Sequence, residues 1–322
     1  MRILANDGID AAGKALLEKS GFSVDTQKIE QSDLLSRIQE YDVIIVRSAT
    51  RVTREVIEAG SRLKVIGRAG VGTDNIDKVA ASEKGIAVVN TPAASSASVA
   101  ELVFAHLFGM VRSLHDANRK MPEQGMTHFK DLKKAYSAGT ELKGKTLGVI
   151  GFGRIGQETA KIALGIGMHV MYFDPYLEQV DVSLAFHSAT GLPEIQVSLK
   201  SNPLSEVLQN ADFVSLHVPK TDKPIIGEEQ IAEMKAGAGI VNCSRGGVVD
   251  EEALIKALKS GKIAFAGLDV FAHEPPLDDT LLKLPNVSLT PHTGASTAEA
   301  QERIGIELAE KIIMELNASK GA

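Results

Sequence analysis

The 322-residue chain has no tryptophan, only four tyrosines, and a single cysteine, Cys243. One cysteine rules out an intramolecular disulfide and fits a reducing compartment. No apolar run reaches the about 18 residues that a membrane-spanning helix needs. The opening "MRILA" reads as a strand rather than a cationic, apolar leader. Positive charge is not in excess: 35 Lys and Arg against 41 Asp and Glu leave a net charge of −6. That balance argues against nucleic acid or anionic membrane as a partner. The eight histidines are scattered, with no His-x-x-x-His spacing and no cysteine cluster, so no metal site is expected. No short fixed repeat is present. A soluble, cytoplasmic protein is expected.

Glycine is plentiful, at 29 residues, which suits many tight strand-to-helix turns. The length predicts two domains. In the first hundred residues "RILAND", "YDVIIVRS", "LKVIGRAG" and "IAVVN" read as strands separated by helical patterns. One helix covers about 10–20 and stops at Gly21; another is read as capped by Asp74 and closed by Gly85. Such alternation predicts a parallel sheet with helices on both faces. A long apolar helix over 98–114 should be buried, with His106 a core or interface histidine. The polar, lysine-rich stretch 116–145 reads as a surface excursion. A second alternating series runs from "KTLGVIGFGRIG" through "HVMYFDP", "ADFVSLHVP", "AGIVNCS", "IAFAGLDV" and "NVSLTPH". Within it, 177–205 has weak periodicity and reads as an extended loop with room for a small strand or hairpin. The last helix is amphipathic and is expected to return the chain to the first domain.

Gly151, Gly153 and Gly156 form G-x-G-x-x-G after an apolar strand (146–150) and at the start of a helix. The first glycine permits the tight turn, the second lets a pyrophosphate approach the backbone, and the third lets helix pack on strand. The phosphates would meet the free amides and dipole of the helix N-terminus. Asp174 ends the next strand, 18 residues after Gly156, near the ~20 expected of a ribose-binding acid. A carboxylate there binds both ribose hydroxyls and repels a 2′-phosphate, favouring NAD over NADP. Read alone, the same aspartate is a plain Asp-Pro turn.

Ligands of open α/β sheets collect at the carboxyl ends of the strands. There the second series delivers Arg245, Asp269 with Glu274 a little further on, and His292. A guanidinium binds an α-carboxylate as a fork. An imidazole exchanges the hydroxyl proton as a hydride leaves or arrives, and a carboxylate on that ring orients it and raises its basicity. Singly, Arg245 reads as a surface ion pair, Glu274 as a solvated loop acid and His292 as a turn histidine. The shared sheet edge favours the joint reading. Cys243 has no neighbouring base in the sequence and reads as a packing residue.

With these motifs in order, "GFGRIG", "NCSRGGVVDEEAL", "GLDVFAHEPP" and "LTPHTGAST", the chain resembles the NAD-dependent D-isomer-specific 2-hydroxyacid dehydrogenases over nearly its whole length. The resemblance implies two doubly wound parallel-sheet domains. A Rossmann NAD domain over 98–292 would be inserted into a flavodoxin-like substrate domain made of 1–97 and 293–322. It implies Arg245 for the substrate carboxylate, His292 as acid and base, and Glu274 as its partner. Cofactor contacts are implied for Gly151, Gly153, Arg154, Ile155, Gly156, Asp174, Val218, Cys243, Ser244, Asp269, Gly294 and Ala295. Asp269 would hold the nicotinamide carboxamide, and Gly294 and Ala295 would leave room for the ring.

Within the family, "VRSATRVT", "GRAGVGTDNID" and "NTPAASSASVAE" are similar to the phosphoglycerate dehydrogenases. Arg47, Arg51 and Arg68, with Ser48, offer a surplus of cationic and polar groups suited to a phosphate as well as a carboxylate. The turn Gly70, Val71, Gly72 is read as offering amides to an anion; pairing of these arginines with Asp74 or Glu55 is the plainer reading. The implied partner is a phosphorylated 2-hydroxy or 2-keto acid. The implied reaction is reversible oxidation of 3-phospho-D-glycerate, the first step of L-serine synthesis. A homodimer is implied, built on the helix over 98–114 and the excursion after it. The chain is expected to lack the C-terminal regulatory domain of many phosphoglycerate dehydrogenases, and with it feedback by serine. The segment after Asp174 looks longer than usual. Rival readings are a relative acting on glyoxylate, hydroxypyruvate or D-lactate and, more remotely, a non-catalytic NAD sensor.

Overall fold

The computed structural model of the chain describes residues 1–185 and 194–318. It divides into two compact units, Met1–Ser98 with Ala295–Ala322, and Val99–Gly294. The second thus interrupts the first in sequence.

In the first unit β1 (Arg2–Ala5), β2 (Ser23–Asp25), β3 (Val43–Val46), β4 (Val65–Arg68) and β5 (Ala87–Asn90) form a parallel sheet ordered β2-β1-β3-β4-β5. This is the flavodoxin-like order. All four residues of β3 are buried, as a strand covered on both faces requires. Leu34, Val56, Ile57, Ala80 and Ala81 cover one face of the sheet. Leu17, Ile304, Leu308 and Ile312 cover the other, from the helices Ala11–Lys19 and Ala298–Ala318. Those two helices lie so close that a Cβ on Gly13 would overlap the Gly305 carbonyl. The strand β2 escapes the sequence reading because it is three residues long and unburied. The helix Lys78–Glu83 is capped by Asp77, which accepts from the Ala80 amide at 2.9 Å, not by Asp74. Only the residue immediately before a helix can reach its third amide, and Asp74 stands three residues too early.

The second unit contains β6 (Thr146–Ile150), β7 (His169–Phe173), β8 (Gln179–Leu184), β9 (Ile195–Lys200), β10 (Phe213–Leu216), β11 (Ala238–Asn242), β12 (Ile263–Leu268) and β13 (Val287–Leu289). Six of them form a parallel sheet ordered β13-β12-β11-β10-β6-β7. The register sets Phe173, Ile150, Leu216, Asn242, Leu268 and Leu289 level in one row across the sheet. Each residue after that row therefore lies on one edge. Helices cover both faces, with Leu208, Ile231, Leu254 and Leu258 on one and Val103, Leu107, Ala160 and Ala163 on the other.

The stretch read as a loop over 177–205 contains the antiparallel pair β8–β9; its residues 186–193 lie outside the described part. Val182 is buried, and Val180, Leu184 and Leu199 pack beside Ile155 and Ile162 against the same core. A parallel bridge between Tyr172 and Ser201 sets the chain leaving β9 beside β7, where the Rossmann order 3-2-1-4-5-6 has its third strand. The apolar helix is shorter than the sequence suggests, Ser96–Val111. Ser113 turns left-handed (φ 50°) and starts a second helix, Leu114–Gln124, followed by Phe129–Ala135. The excursion is therefore largely helical. No single helix among the described residues is long and apolar enough to cross a membrane.

Candidate active site

The glycine loop follows directly from β6. Gly151 has φ +88°, and a Cβ there would stand 2.5 Å from the His217 carbonyl oxygen. A Cβ on Gly156 would overlap the Gly151 carbonyl, so helix Arg154–Gly165 is pressed onto the loop. Gly153, by contrast, has nothing within 4 Å of its missing Cβ, and both it and Arg154 are exposed. The loop is thus open at Gly153, directly before the helix N-terminus, whose first amides suit a pyrophosphate. Asp174 stands one residue past β7. Its Oδ2 accepts from the Phe152 amide at 2.7 Å, and its Oδ1 from Tyr176 (2.9 Å) and Leu177 (3.2 Å). It is both the Asp-Pro turn and the acid bound to the glycine loop. The Phe152 ring stacks on Tyr172 at 3.8 Å, which fixes the loop from beneath. Val218 touches the same turn, 2.9 Å from the Gly151 Cβ position. These residues fit a dinucleotide.

After β11, Asn242 shapes the turn that carries Arg245. Its Nδ2 donates to the Arg245 carbonyl (2.8 Å), and its Oδ1 accepts from the Ser244 amide (3.0 Å) and hydroxyl (2.8 Å). Arg245 Nη1 donates to the Ser244 carbonyl at 2.7 Å. Cys243 is buried, and burial pushes its thiol well above the ordinary range, so it packs rather than attacks. Gly246 lies against the next loop: a Cβ there would overlap the Phe271 carbonyl. Glu251 ties the same two segments by accepting from the Ala272 amide at 2.6 Å.

His292 Nδ1 and Glu274 Oε2 are 2.7 Å apart, while Glu274 Oε1 accepts from the Phe271 amide at 3.2 Å. An ionised carboxylate only accepts, so Nδ1 carries the hydrogen and Nε2 is the basic nitrogen of the neutral ring. The two side chains are 42% and 38% exposed; the pair is open to a ligand and adds little to stability. His292 holds φ 55°, a conformation few non-glycine residues adopt. Asp269, 1% exposed, anchors it. The Asp269 carbonyl accepts from the His292 amide, Oδ1 from the Thr293 amide and Oδ2 from the Gly294 amide, each at 2.8 Å. Ala295 opens the C-terminal segment of the first unit, its carbonyl accepting from Gln301 at 2.7 Å.

In the first unit Arg47, Ser48 and Arg51 follow β3, and Arg68 ends β4. Asp7 orders the β3 loop by accepting from the Arg47 amide (2.7 Å), the Thr50 amide (3.0 Å) and the Thr50 hydroxyl (2.6 Å). The Gly70 amide is committed to the Arg68 carbonyl at 2.9 Å, so it is not offered to an anion as the sequence suggested. Gly70 itself holds φ +142°. Arg68 Nη1 bonds to the Ala69 carbonyl.

Sequence reasoning missed Asn242, Glu251, Asp7 and Thr290, whose hydroxyl donates to Asp269 Oδ1 at 2.6 Å. A signal existed for Asn242: a polar residue ending a buried strand before Cys-Ser-Arg-Gly-Gly is placed to bond its own chain two residues on. His217, beside Val218, was also passed over; burial pushes its imidazole down to about 3.

Residues 104–294 match the family described as D-isomer specific 2-hydroxyacid dehydrogenase, NAD binding domain. The hydroxypyruvate reductase of Thermotoga maritima is 47% identical over 321 residues, 98% of each chain. The D-3-phosphoglycerate dehydrogenase of Methanocaldococcus jannaschii is 47% identical over 315 residues, but this chain spans only 57% of that protein. Among solved structures, NAD-bound 3-phosphoglycerate dehydrogenase of Entamoeba histolytica superposes with a TM-score of 0.77 at 28% identity, covering 98% of this chain and 95% of that one. The doubly wound fold, the intact dinucleotide loop and these likenesses agree: the chain belongs to the NAD-dependent D-isomer-specific 2-hydroxyacid dehydrogenases.

Proposed function

We propose that the chain oxidises 3-phospho-D-glycerate reversibly to 3-phosphohydroxypyruvate, the first step of L-serine synthesis. The observation that carries the chemistry is the Glu274–His292 pair at 2.7 Å on the sheet edge that holds the glycine loop. In this reading Arg245 binds the α-carboxylate as a fork, and His292 Nε2 takes the C2 hydroxyl proton. Glu274 holds the ring through Nδ1 and stabilises its charged form. Bound NAD supplies the hydride acceptor. Gly151, Gly153, Arg154, Ile155 and Gly156 would hold its pyrophosphate and Asp174 its adenosine ribose, with NAD favoured over NADP. Val218, Cys243, Ser244, Asp269, Gly294 and Ala295 would line the remainder, with Asp269 at the carboxamide.

The phosphate is assigned to Arg47, Ser48, Arg51 and Arg68, which follow or end β3 and β4 of the flavodoxin-like unit, with Val71 and Gly72. On this reading residues 1–97 with 293–322 make the substrate-binding domain, and 98–292 the NAD domain. A second reading, reduction of hydroxypyruvate, is favoured by the full-length likeness to the Thermotoga reductase. NADH oxidation with each keto acid decides. The phosphorylated substrate should give at least about tenfold higher kcat/KM, a gap that Arg47→Ala narrows. Equal or reversed ratios favour hydroxypyruvate.

The assembly is a homodimer in this proposal. Leu114, Met121, Met126 and Phe129 are each exposed on or just after a helix, Leu114–Gln124, with no buried residue of its own, and exposed apolar side chains of this kind support an interface there.

A further inference from the structure

His106 sits on the helix Ser96–Val111 and is 2% exposed. Room for it is made on β12, where a Cβ on Gly267 would stand 2.7 Å from the His106 Cβ. Hydroxyls hold both ring nitrogens: Nδ1 lies 2.8 Å from Ser288 Oγ, and Nε2 lies 3.1 Å from Thr290 Oγ1. A core histidine satisfied this way is unremarkable until the next bond is followed. Thr290 Oγ1 donates to Asp269 Oδ1 at 2.6 Å. A hydroxyl has one hydrogen. With that hydrogen on Asp269, the Thr290 oxygen can only accept from the ring, so His106 Nε2 carries the proton. Nδ1 is then the acceptor, and Ser288 donates to it. Burial lowers the basicity of His106 and keeps the ring neutral.

The chain of bonds ends on a carboxylate with about four acceptor positions. Thr290 and the Thr293 amide bond Oδ1, with the Thr293 hydroxyl longer at 3.5 Å, and the Gly294 amide bonds Oδ2. Oδ2 accepts one hydrogen bond, and a carboxylate oxygen has the capacity for a second.

We infer that His106 is a positioning residue: through Thr290 it sets the direction of the Asp269 carboxylate, and so aligns the carboxamide subsite and the His292 turn. The inference rests on the proposal that Asp269 receives the carboxamide. In a buried chain of hydrogen bonds, loss of the first donor frees the Thr290 hydroxyl to rotate and weakens the orientation of everything beyond it.

The test uses His106→Leu and His106→Gln in the full chain, with calorimetric binding of NAD and of its 3-acetylpyridine analogue, which lacks the amide N–H. His106→Leu should weaken NAD binding about tenfold and the analogue less than about twofold, since only NAD uses the Asp269 position. Turnover should fall about tenfold with the keto-acid KM unchanged within about twofold. Glutamine, whose amide donates to Thr290 and whose carbonyl accepts from Ser288, should recover most of both losses. Thr290→Val breaks the same chain and should repeat the leucine pattern, which covers a leucine variant that does not fold. Nitrogen NMR of the wild-type histidines should show His106 protonated at Nε2. Wild-type NAD affinity in both His106→Leu and Thr290→Val, an equal loss for both dinucleotides, or a ring protonated at Nδ1 overturns the inference. Absence of turnover with every 2-keto acid overturns the proposed reaction instead, and leaves the NMR and binding results to judge His106.

Discussion

His292 keeps a left-handed backbone that costs on the order of 1–3 kcal/mol for a side chain of its size, and Asp269 holds it there with three amide bonds. Its ring direction then depends on Glu274. Glu274→Gln keeps the shape but loses the charge that favours the imidazolium. It should lower kcat between about tenfold and a hundredfold while substrate KM moves little; steady-state kinetics give both. His217 carries a different prediction. Its Nδ1 is buried and, among the described residues, without a partner, and its value of about 3 lies below the ordinary 6.5. The folded state refuses a proton that the unfolded chain accepts. Stability from this group is therefore full above about pH 6.5 and drains as pH falls toward 3, by on the order of 2 kcal/mol at pH 5. Between pH 7 and 5 the melting temperature of His217→Asn should fall less than that of the wild type; parallel curves would remove the argument. At this scale the sequence disclosed residue types and strand ends, which was enough to single out Arg245, Asp269, Glu274 and His292. It could not disclose that Asp269 binds the amides of 292–294, because backbone partners leave no mark in side-chain identity. Asp74 was misread for a related reason: Asp74 and Asp77 are the same residue type, and only the helix start separates them.

Among the elements, the alignment of strand ends does most to build the site. Because Phe173, Ile150, Leu216, Asn242, Leu268 and Leu289 are level, Asp174, Gly151, Cys243 and Asp269 are each the first residue beyond one row. Alternating apolar runs disclosed the strands, and the helix read over about 10–20 is present as Ala11–Lys19. The β8–β9 pair was harder to see, since Val180, Val182 and Leu184 pack from β8 but only Leu199 from β9, and the two runs are separated by more than a turn's length. The break at Ser113 was invisible, as the apolar pattern runs through it. Elsewhere the close crossing of Ala11–Lys19 and Ala298–Ala318 depends on Gly13 lacking a side chain. Gly13→Ala should cost about 1–3 kcal/mol through overpacking, read as a lower urea midpoint with unchanged slope. An unchanged midpoint would mean that the helices separate freely.

For the whole molecule, the two sheet orders, β2-β1-β3-β4-β5 and β13-β12-β11-β10-β6-β7, are the flavodoxin-like and Rossmann-like arrangements that the family resemblance implies. The proposed homodimer predicts a particle of about twice 34.3 kDa in sedimentation, and Met121→Glu with Phe129→Glu should shift it toward monomer, because charge is costly in an apolar interface. A wild-type monomer at micromolar concentration would refute the dimer and leave the chemistry standing. That chemistry is tested most directly by NADH oxidation with 3-phosphohydroxypyruvate, hydroxypyruvate and glyoxylate, in the wild type and in His292→Ala. The wild type should turn over at least one of these, and the variant should lose at least about a hundredfold in kcat while binding NADH within about twofold of wild type. Equal turnover by the two proteins, or none by the wild type on any 2-keto acid, would contradict proton transfer at His292.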